Sequence, residues 1–283
     1  MNKVWLITGA ARGLGAEIAK AALAASDQVV ATGRSREAVE KTFAEYGKAV
    51  LPVTLDVTNE AQAALAAAAA LERFGRIDVL VNNAGYGLLG MFEESTTEAV
   101  ERQYATNVFG LMHVTRAVLP VMRRQRSGHI FNLSSIAGQI SVAGGSLYCS
   151  SKWAVEGFSE GLADEVSPFG IGVTVVEPGY FRTDFLDGSS VQYGSQAVED
   201  YAARSSALRA DWNERNHQQA GDPAKLAEAV VMLASLEHPP LRWAAGSDAV
   251  EVIAGKAAAL TENLERWREL SVSTDIVPQA ARV

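Results

Sequence analysis

The segment that most constrains the fold is an apolar run that leads into a cluster of glycines and then into an alanine-rich stretch. Residues 3–8 have the length and composition of a buried strand. Gly9, Gly13 and Gly15 follow at the spacing Gly-x-x-x-Gly-x-Gly, and residues 16–25 have strong helix propensity. A strand, a glycine loop and a helix in this order place free backbone N–H groups where diphosphate oxygens can meet them. The segment therefore predicts a nucleotide site, with a bare loop as the alternative interpretation.

Strand-like and helix-like segments alternate as far as residue 176. The later predicted strands are residues 28–32, 49–55, 77–81, 129–133 and 172–176. The helices between them are residues 37–46, 59–74 (with Asn59 as cap), 97–124 and 147–166. Alternation with continuous apolar strands predicts an α/β fold, a doubly wound parallel sheet covered by helices on both faces. Ligands of such sheets bind beyond the carboxyl ends of the strands.

Tyr148 and Lys152, with Ser135 thirteen positions before the tyrosine, form the chemically most informative group of residues. A phenol is a poor acid near neutrality, because its unperturbed pKa is about 10. An ammonium four residues later on a helix lies one turn away, and its charge is expected to lower that pKa. A serine hydroxyl adds a second donor, so that two hydrogen bonds can converge on one carbonyl oxygen. The group can protonate a carbonyl or deprotonate an alcohol.

These motifs together resemble the single-domain branch of the short-chain dehydrogenase/reductase family. The resemblance covers roughly residues 1–185 and rests on six motifs in family order: Thr8-Gly9-x-x-x-Gly13-x-Gly15, Asn82-Asn83-Ala84-Gly85, Asn107, Ser135, Tyr148-x-x-x-Lys152 and Pro178-Gly179. It implies a Rossmann-like fold and hydride transfer to or from a nicotinamide cofactor.

The resemblance also implies a role for each motif residue. Tyr148 exchanges the proton, Ser135 holds the substrate oxygen, and Lys152 lowers the pKa of the tyrosine and binds the nicotinamide ribose. Asn107 holds a water that links Lys152 to solvent, although a mid-helix asparagine can also be structural. The remaining cofactor contacts come from the glycine loop, the end of the fourth strand and the end of the sixth strand: Gly9, Arg12, Gly13, Leu14, Gly15, Asn83, Ala84, Gly85, Pro178, Gly179 and Thr183. Ser134 is interpreted as a structural strand-end residue.

The residues after the second predicted strand bear on the choice between NAD(H) and NADP(H). NAD-dependent enzymes commonly carry an acidic residue there that binds the ribose 2′-hydroxyl, and this chain has Gly33 followed by Arg34. Arg34 and Arg12 are expected to bind a 2′-phosphate, whereas Arg36 has a surface charge as its alternative. Asp56 is expected to accept from the adenine amino group beside Val57, with a turn or cap aspartate as the alternative. NADP(H) is the predicted cofactor, in preference to NAD(H).

Composition excludes several other classes of protein. The net charge of −8 opposes binding to nucleic acid or to an anionic membrane, and no apolar run approaches the ~20 residues of a membrane span. Cys149 is the single cysteine, which predicts a reducing, cytoplasmic location and a buried packing role for its thiol. The four histidines are scattered without metal-ligand spacing, so no metal site is predicted.

The second part of the chain is expected to shape the substrate pocket. One domain, residues 1–283, is predicted, with residues 179–221 as a helical substrate lid, a helix over 222–235 and an edge strand over 241–245. Ser247 is expected to cap a final helix, 247–270, before a surface coil. Aromatic residues near the site, among them Phe185, Tyr193 and Trp212, predict an apolar ketone, aldehyde or secondary alcohol as substrate.

Two features remain open. The C-terminal part resembles hydroxysteroid- and retinol-dehydrogenase-like members but lacks the glycine-rich segment of tetrameric relatives, which leaves a homodimer or a monomer. The alternative function is a catalytically silent NADP(H)-binding redox sensor, which would need none of Ser135, Tyr148 and Lys152.

Overall fold

The computed structural model describes residues 2–276, and within them seven parallel strands form one sheet. Its strands are β1 (Val4–Ile7), β2 (Gln28–Gly33), β3 (Val50–Thr54), β4 (Val79–Asn82), β6 (Gly128–Leu133), β7 (Ile171–Pro178) and β9 (Arg242–Ala245), and β5 (Gly87–Leu89) pairs separately with β8 (Val191–Tyr193). The order across the sheet is β3-β2-β1-β4-β6-β7-β9. The predicted doubly wound, single-domain α/β fold is confirmed, and the strand order reverses between β1 and β4.

Helices cover both faces of the sheet. They are α1 (Gly13–Ala24), α2 (Arg36–Thr42), α3 (Glu60–Phe74), α4 (Thr97–Tyr104), α5 (Leu111–Gln125), α6 (Ser146–Val166), α7 (Ala202–Arg215), α8 (Pro223–Leu233) and α9 (Ser247–Val272). Buried residues of α1, α2 and α8 form one apolar cluster with the sheet. Those of α3, α5 and α6 form a second cluster on the opposite face.

The alternation of side chains along each strand produces these two clusters. Trp5 and Ile7 of β1 belong to the cluster under α1, and Val4 and Leu6 belong to the cluster under α3. The alanine-rich helix α3 buries a row of small side chains, Ala63, Ala66, Ala67 and Ala70. Asn59 caps it by accepting a hydrogen bond from Gln62 N, as predicted. Both faces of the sheet are therefore buried, and the strand ends remain as the place for a site.

The predicted helix over residues 97–124 is continuous but not uniform. A π-helical segment, Ala105–Gly110, separates α4 from α5. A Cβ at Gly110 would lie 2.6 Å from Cγ2 of Val57, so a glycine is required where this helix approaches the end of β3. Single π turns occur frequently at functional sites. This one contains Asn107, a predicted site residue.

Two predictions for the second part of the chain need correction. Residues 179–221 contain α7 and also β8, which has only three residues and no visible periodicity in the sequence. Ser247 is the first helical residue of α9 and not its cap, because Gly246 occupies the cap position with φ of 102°.

The helix α9 also ends later than predicted, at Val272. Residues 273–276 follow as a turn, and the rest of the predicted surface coil, 277–283, lies outside the described residues. None of the helices in the part of the chain that the structure describes has both the length and the apolar character needed to cross a membrane.

Candidate active site

The glycine loop is held against the end of β4 by four hydrogen bonds. The backbone N–H groups of Asn83 and Ala84 donate to Oγ1 of Thr8 at 2.9 and 3.0 Å. Nδ2 of Asn83 donates to the carbonyl oxygens of Thr8 and Gly9 at 2.9 and 3.1 Å. A Cβ at Gly15 would overlap the Asn83 side chain, and Gly9 has φ of 64°, which favours glycine. Asn83 therefore fixes the position of the glycine loop relative to the end of β4.

The start of α1 suits an anionic group. Its cap residue, Arg12, makes no side-chain capping hydrogen bond, whereas α2, α3 and α4 are capped by Ser35, Asn59 and Thr96. The N–H groups of the first turn of α1 are thus left for another acceptor, and the helix dipole favours negative charge there. A cleft of about 360 Å³ opens beside them and is lined by Gly13, Glu17, Arg182, Thr183, Asp184, Asp222, Pro223 and Ala224. The free N–H groups of the first turn fit the diphosphate of a dinucleotide, whereas the cleft beside them carries the carboxyl groups of Glu17, Asp184 and Asp222.

The three predicted catalytic side chains meet at the carboxyl ends of the central strands. Ser135 follows β6, and Tyr148 and Lys152 lie one turn apart on α6. The Ser135 hydroxyl lies close enough to Tyr148 to influence its pKa, and its Oγ accepts from Ala137 N at 3.1 Å and donates to Pro178 O at 3.5 Å. Nζ of Lys152 lies 5.8 Å from the centroid of the Tyr148 ring and donates to the carbonyl oxygen of Leu133 at 2.6 Å. Ser134 is buried, and its backbone N–H extends the sheet by donating to Val176 O at 2.8 Å, so it has the structural position predicted for it.

Burial controls the proton affinities of this group. Burial raises the pKa of the Tyr148 phenol above its ordinary value, and the nearby Ser135 hydroxyl opposes this effect. Burial also lowers the pKa of Lys152 to about 8, while the nearby Glu156 carboxylate raises it. The expected acidification of Tyr148 by Lys152 is therefore not the dominant effect in this arrangement, because removal from water disfavours the phenolate more strongly. The neighbouring Cys149 thiol is buried, as predicted.

Asn107 is buried between the predicted cofactor loop and α6. Its Oδ1 accepts from Tyr86 N at 3.1 Å, and its Nδ2 donates to Tyr86 O at 2.9 Å and to Ser151 Oγ at 3.1 Å. A Cβ at Gly85 would lie 3.2 Å from Oδ1 of Asn107 and 3.8 Å from Nζ of Lys152. The asparagine thus joins the residue after Gly85 to the residue before Lys152. Its role in holding a water stays a prediction.

The residues predicted for the adenosine end occupy three separate loops. Arg34 is exposed and, within residues 2–276, has no ion-pair partner, whereas Arg36 pairs with Glu40 at 2.7 Å. Asp56 accepts hydrogen bonds from N and Oγ1 of Thr58, so its carboxylate takes part in a turn. Val57 beside it is buried. These positions leave Arg34, and not Arg36, with its charge uncompensated at the end of β2.

Arg12 makes contacts that the sequence did not predict. Its guanidinium group donates to Ser189 O at 2.7 Å and to Ser190 Oγ at 2.9 Å. The glycine loop is therefore tied to the 179–221 segment. The assignment of Arg12 to a 2′-phosphate stays a prediction, and a contact with phosphate would compete with these hydrogen bonds.

The end of β7 brings the 179–221 segment to the tyrosine. Pro178 is buried, and Gly179 packs against the carboxylate of Asp248, with which a Cβ would overlap. Thr183 follows as the cap of a short 3₁₀ turn and accepts from Phe185 N at 3.3 Å. The Phe185 ring lies 5.6 Å from the Tyr148 ring, centroid to centroid. An aromatic side chain thus covers the phenol from the side of this segment.

A buried carboxylate cluster behind the catalytic helix has no motif in the sequence. Glu156 is one turn beyond Lys152 on α6 and is 5% exposed, and Glu177 of β7 is 2% exposed. Nε of Arg242 lies 3.2 Å from Glu156 and 3.9 Å from Glu177, and Gln139 donates to Glu177 at 2.7 Å. Burial, and then the neighbouring Glu177 carboxylate, raise the pKa of Glu156 to about 7, and the charge of Arg242 opposes this shift. The one sequence feature that could have indicated this cluster is the position of Glu156 four residues after Lys152.

A second group, three side chains of the kind that ligate metal ions, was not predicted because sequence spacing does not show it. Ligand atoms of Asp184, Asp187 and His217 lie within 4.8 Å of one another. Nε2 of His217 is 3.2 Å from Oδ1 of Asp187, which also accepts from Asn216. These contacts join the two ends of the 179–221 segment. A larger cleft, about 1020 Å³, lies between α7, α8 and the start of α9, and among the described residues its lining includes none of the four predicted catalytic side chains.

Comparison with known proteins agrees with this arrangement. The family model described as short chain dehydrogenase matches residues 3–193. An oxidoreductase of Botryotinia fuckeliana, BOA17, is 45% identical over 276 residues, which are 97% of this chain and 100% of that protein. A 3-ketodihydrosphingosine reductase of Bacteroides thetaiotaomicron is 37% identical over 94% of this chain and 96% of its own length.

Solved structures show the same likeness. A short-chain dehydrogenase from Streptomyces avermitilis superposes with a TM-score of 0.90 at 43% identity, over 98% of this chain and all of that one. A short-chain dehydrogenase/reductase from Burkholderia phymatum in complex with NAD has a TM-score of 0.76 at 25% identity, over 99% and 98% of the two chains. A serine dehydrogenase complexed with NADP⁺ has a TM-score of 0.72 at 30% identity, over 84% and 92%.

The fold and the site define a dinucleotide-binding oxidoreductase. The chain belongs to the short-chain dehydrogenase/reductase family, as its motifs indicated. Structural neighbours hold NAD or NADP⁺, so a nicotinamide cofactor is supported without a preference between the two.

The raised pKa of Glu156 predicts a pH-dependent stability. Between about pH 4.5 and pH 7 the folded protein keeps a proton on Glu156 that the unfolded chain releases. The contribution of this group to the free energy of unfolding therefore falls as the pH rises through that window. In Glu156→Gln the contribution is constant, so the stability of the variant relative to the unmodified protein should increase from pH 5 to pH 8 in urea unfolding.

The control is Glu160→Gln. Glu160 also binds Arg242 but is exposed, so its substitution should not reproduce the trend. A relative stability of Glu156→Gln that does not change with pH would contradict the assignment of the buried proton to Glu156.

Proposed function

We propose that the protein reduces an apolar ketone or aldehyde with NADPH, or oxidises the corresponding secondary alcohol with NADP⁺, using Tyr148 as general acid and base. The observation that carries the proposal is the convergence of Ser135, Tyr148 and Lys152 beside a glycine loop with an uncapped helix N-terminus. A bound nicotinamide supplies or accepts the hydride. Residues of this chain bind the cofactor and manage the proton.

The proton state of Tyr148 favours the direction of reduction. A raised pKa keeps the phenol protonated near neutral pH, which is the form that donates to a carbonyl oxygen. Ser135 lies beside it as a second donor and stabilises negative charge on that oxygen. The Lys152 ammonium, next to the phenol ring, stabilises the phenolate that remains after the proton has left. Asn107, through Ser151 and Tyr86, holds the loop and the helix on which these groups lie.

The surroundings of Tyr148 support an apolar substrate. The Phe185 ring faces the phenol, and Gly87 lies under Phe185, with a Cβ there 3.5 Å from its ring. Trp212 packs against Gly144 and stacks on Tyr193 at 6.1 Å. The names of two relatives, 3-ketodihydrosphingosine reductase and 3-ketoacyl-(acyl-carrier-protein) reductase, are those of ketone reductases. A ketone attached to an apolar chain is therefore the substrate class that we propose.

Residues 179–221 act as the lid in this proposal. The segment contacts Tyr148 through Phe185 and the glycine loop through Arg12. A substrate that reaches Tyr148 must displace or slide past Phe185, so the lid moves during turnover. Its closed position excludes water from the proton-transfer site.

The exposed, uncompensated guanidinium of Arg34 supports NADP(H). It lies at the end of β2, where a carboxylate would repel a 2′-phosphate and Gly33 has no side chain. Arg12 lies in the adjacent loop and is within the same predicted site.

The alternative function is a redox sensor that binds NADP(H) without turnover. The grouping of Ser135 and Lys152 around Tyr148 supports the enzyme instead, since a sensor needs no proton donor. Consumption of NADPH with a panel of apolar ketones separates the two, because a sensor would bind the cofactor without oxidising it.

Tyr148→Phe removes the acidic proton and keeps the ring that contacts Phe185. We expect kcat to fall by at least ~10² while the dissociation constant for NADPH is retained. The matched control is Tyr104→Phe, because Tyr104 donates to Ser150 on the same helix and lies outside the proposed mechanism. Steady-state kinetics and cofactor fluorescence measure the two quantities. A Tyr148→Phe enzyme with near-normal kcat would remove the tyrosine from the mechanism.

Gly33→Asp combined with Arg34→Ala should shift the preference towards NAD(H). The ratio of kcat/KM for NADPH to that for NADH is expected to fall about 100-fold, because a charge-assisted phosphate contact is replaced by a repulsive charge. A Cβ at Gly33 would lie 3.1 Å from Cγ2 of Val39, so Arg34→Ala alone is the companion variant. Arg36→Ala is the control, since Arg36 pairs with Glu40. An unchanged ratio in both Arg34 variants would argue against the phosphate contact.

A further inference from the structure

The second half of α9 projects from the body of the protein. We call residues 257–272 the C-terminal arm. The base of the helix is anchored by the buried Ala249 and by Lys256, whose Nζ lies 5.6 Å from the centroid of the Trp153 ring. Every residue from Ala257 to Ile276 is exposed. At the rise of an α-helix the arm is about 24 Å long.

The arm has one continuous apolar stripe, and two further exposed apolar side chains, Leu270 and Val272, lie on either side of it. Leu260, Leu264 and Trp267 are 51, 68 and 53% exposed, and they follow one another at spacings of four and three residues. Ala257 and Ser271 continue this pattern on either side. A spacing of four and three places the side chains on one face and is the pattern by which two helices pair. Four turns of helix therefore present a continuous seam to solvent.

The charged side chains of the arm avoid the seam. Glu262, Glu265, Arg266 and Glu269 lie on the outer side, and Arg268 lies at the edge. Arg266 pairs with Glu262, and Arg268 pairs with Glu265, within the same helix. The charges are thus largely compensated inside the arm, and a partner for the seam needs no complementary charge. A helix of this length without packing is marginal in water, so the seam needs a cover.

We propose that the seam binds the C-terminal arm of a second copy of this chain, with the two helices antiparallel. In the register that places Leu260 of one copy against Leu264 of the other, Ala257 lies opposite Trp267 and Ile253 lies opposite Ser271. Each large side chain then faces a smaller one or a leucine, which is the complementarity that knobs-into-holes packing requires. The two bodies lie at opposite ends of the helix pair.

The observations favour a second copy over a bilayer surface. The chain has a net charge of −8, and the arm contains three glutamates and two arginines, so anionic lipid would repel it. Interfacial helices are rich in basic residues on their polar face, whereas glutamates outnumber arginines on that face of this arm. Pairing with a second arm instead buries the apolar side chains of the seam against side chains of the same kind.

The size of the contact sets the expected affinity. A helix pair of this length buries less surface than the 1,200–2,000 Å² of ordinary stable interfaces, so a dissociation constant on the order of micromolar is expected. Dimerisation should therefore be visible by sedimentation velocity between roughly 1 and 100 µM of the full-length chain.

The test uses two charge variants, Leu260→Lys and Leu264→Glu. Each alone buries a charge against leucine in both layers of the pair, and we expect dimerisation to weaken by about 100-fold or more. In an equimolar mixture the antiparallel register sets the new lysine against the new glutamate and the two remaining leucines against each other. The mixture should therefore form a heterodimer, whereas a parallel pair would leave both charges against leucine.

Ala258→Glu adds the same charge on the outer side of the arm and is the control, which should dimerise as the unmodified chain does. A chain that stays monomeric at roughly 100 µM overturns the proposal, whether or not the arm binds vesicles or an unlike protein. A Leu264→Glu variant that still dimerises assigns the contact to another surface, and a mixture without heterodimer rejects the antiparallel register. NADPH oxidation by the variants tests the proposed function separately, because the arm lies outside the site.

Discussion

The close contact between the glycine loop and the end of β4 is the interaction on which the rest of the site depends. Oγ1 of Thr8 and the side chain of Asn83 join the first strand to its neighbour at the point where the strand order reverses. No Cβ fits at Gly15, because the Asn83 side chain occupies that space. This contact orients the uncapped N-terminus of α1 towards the carboxyl ends of the strands. Tyr148 and Lys152 of α6 lie at the same edge of the sheet.

Removal from water then governs the chemistry of the site. Burial raises the pKa of Tyr148, lowers that of Lys152 to about 8 and raises that of Glu156 to about 7. All three shifts favour the neutral form of the group. The site in this arrangement therefore holds its proton on the phenol. Glu156 lies one turn beyond Lys152 on the same helix, where its carboxylate, when ionised, raises the pKa of Lys152. The 179–221 segment contributes to this burial, since Phe185 covers the phenol ring.

The first part of the chain and the part that follows β7 contribute different features to the protein. The first 193 residues carry the family motifs, and the match to the family model ends there. The segment after β7 packs against Tyr148 through Phe185, and α9 places an apolar seam outside the body. Loops and terminal elements commonly carry such specific features on a common fold, because they are not constrained by the packing of the sheet.

Local patterns in the sequence were enough for the sheet, for most of the helices and for the identity of the family. Apolar runs, glycine spacing and the four-residue interval from Tyr148 to Lys152 are properties of adjacent residues, and they determine strands, turns and helix faces directly. The sequence also indicated Asn59 as a cap and Cys149 as a packing residue, because both depend on local geometry.

Only the tertiary structure decided which distant groups meet. Three contacts join segments that are far apart in the chain. Arg12 donates to Ser189 and Ser190, and β8 pairs with β5. Glu156 and Glu177 both lie near Arg242. The balance of proton affinities belongs to the same class. The one-turn spacing indicated that Lys152 would acidify Tyr148, but the pKa of a phenol also depends on how much water the rest of the fold removes from it.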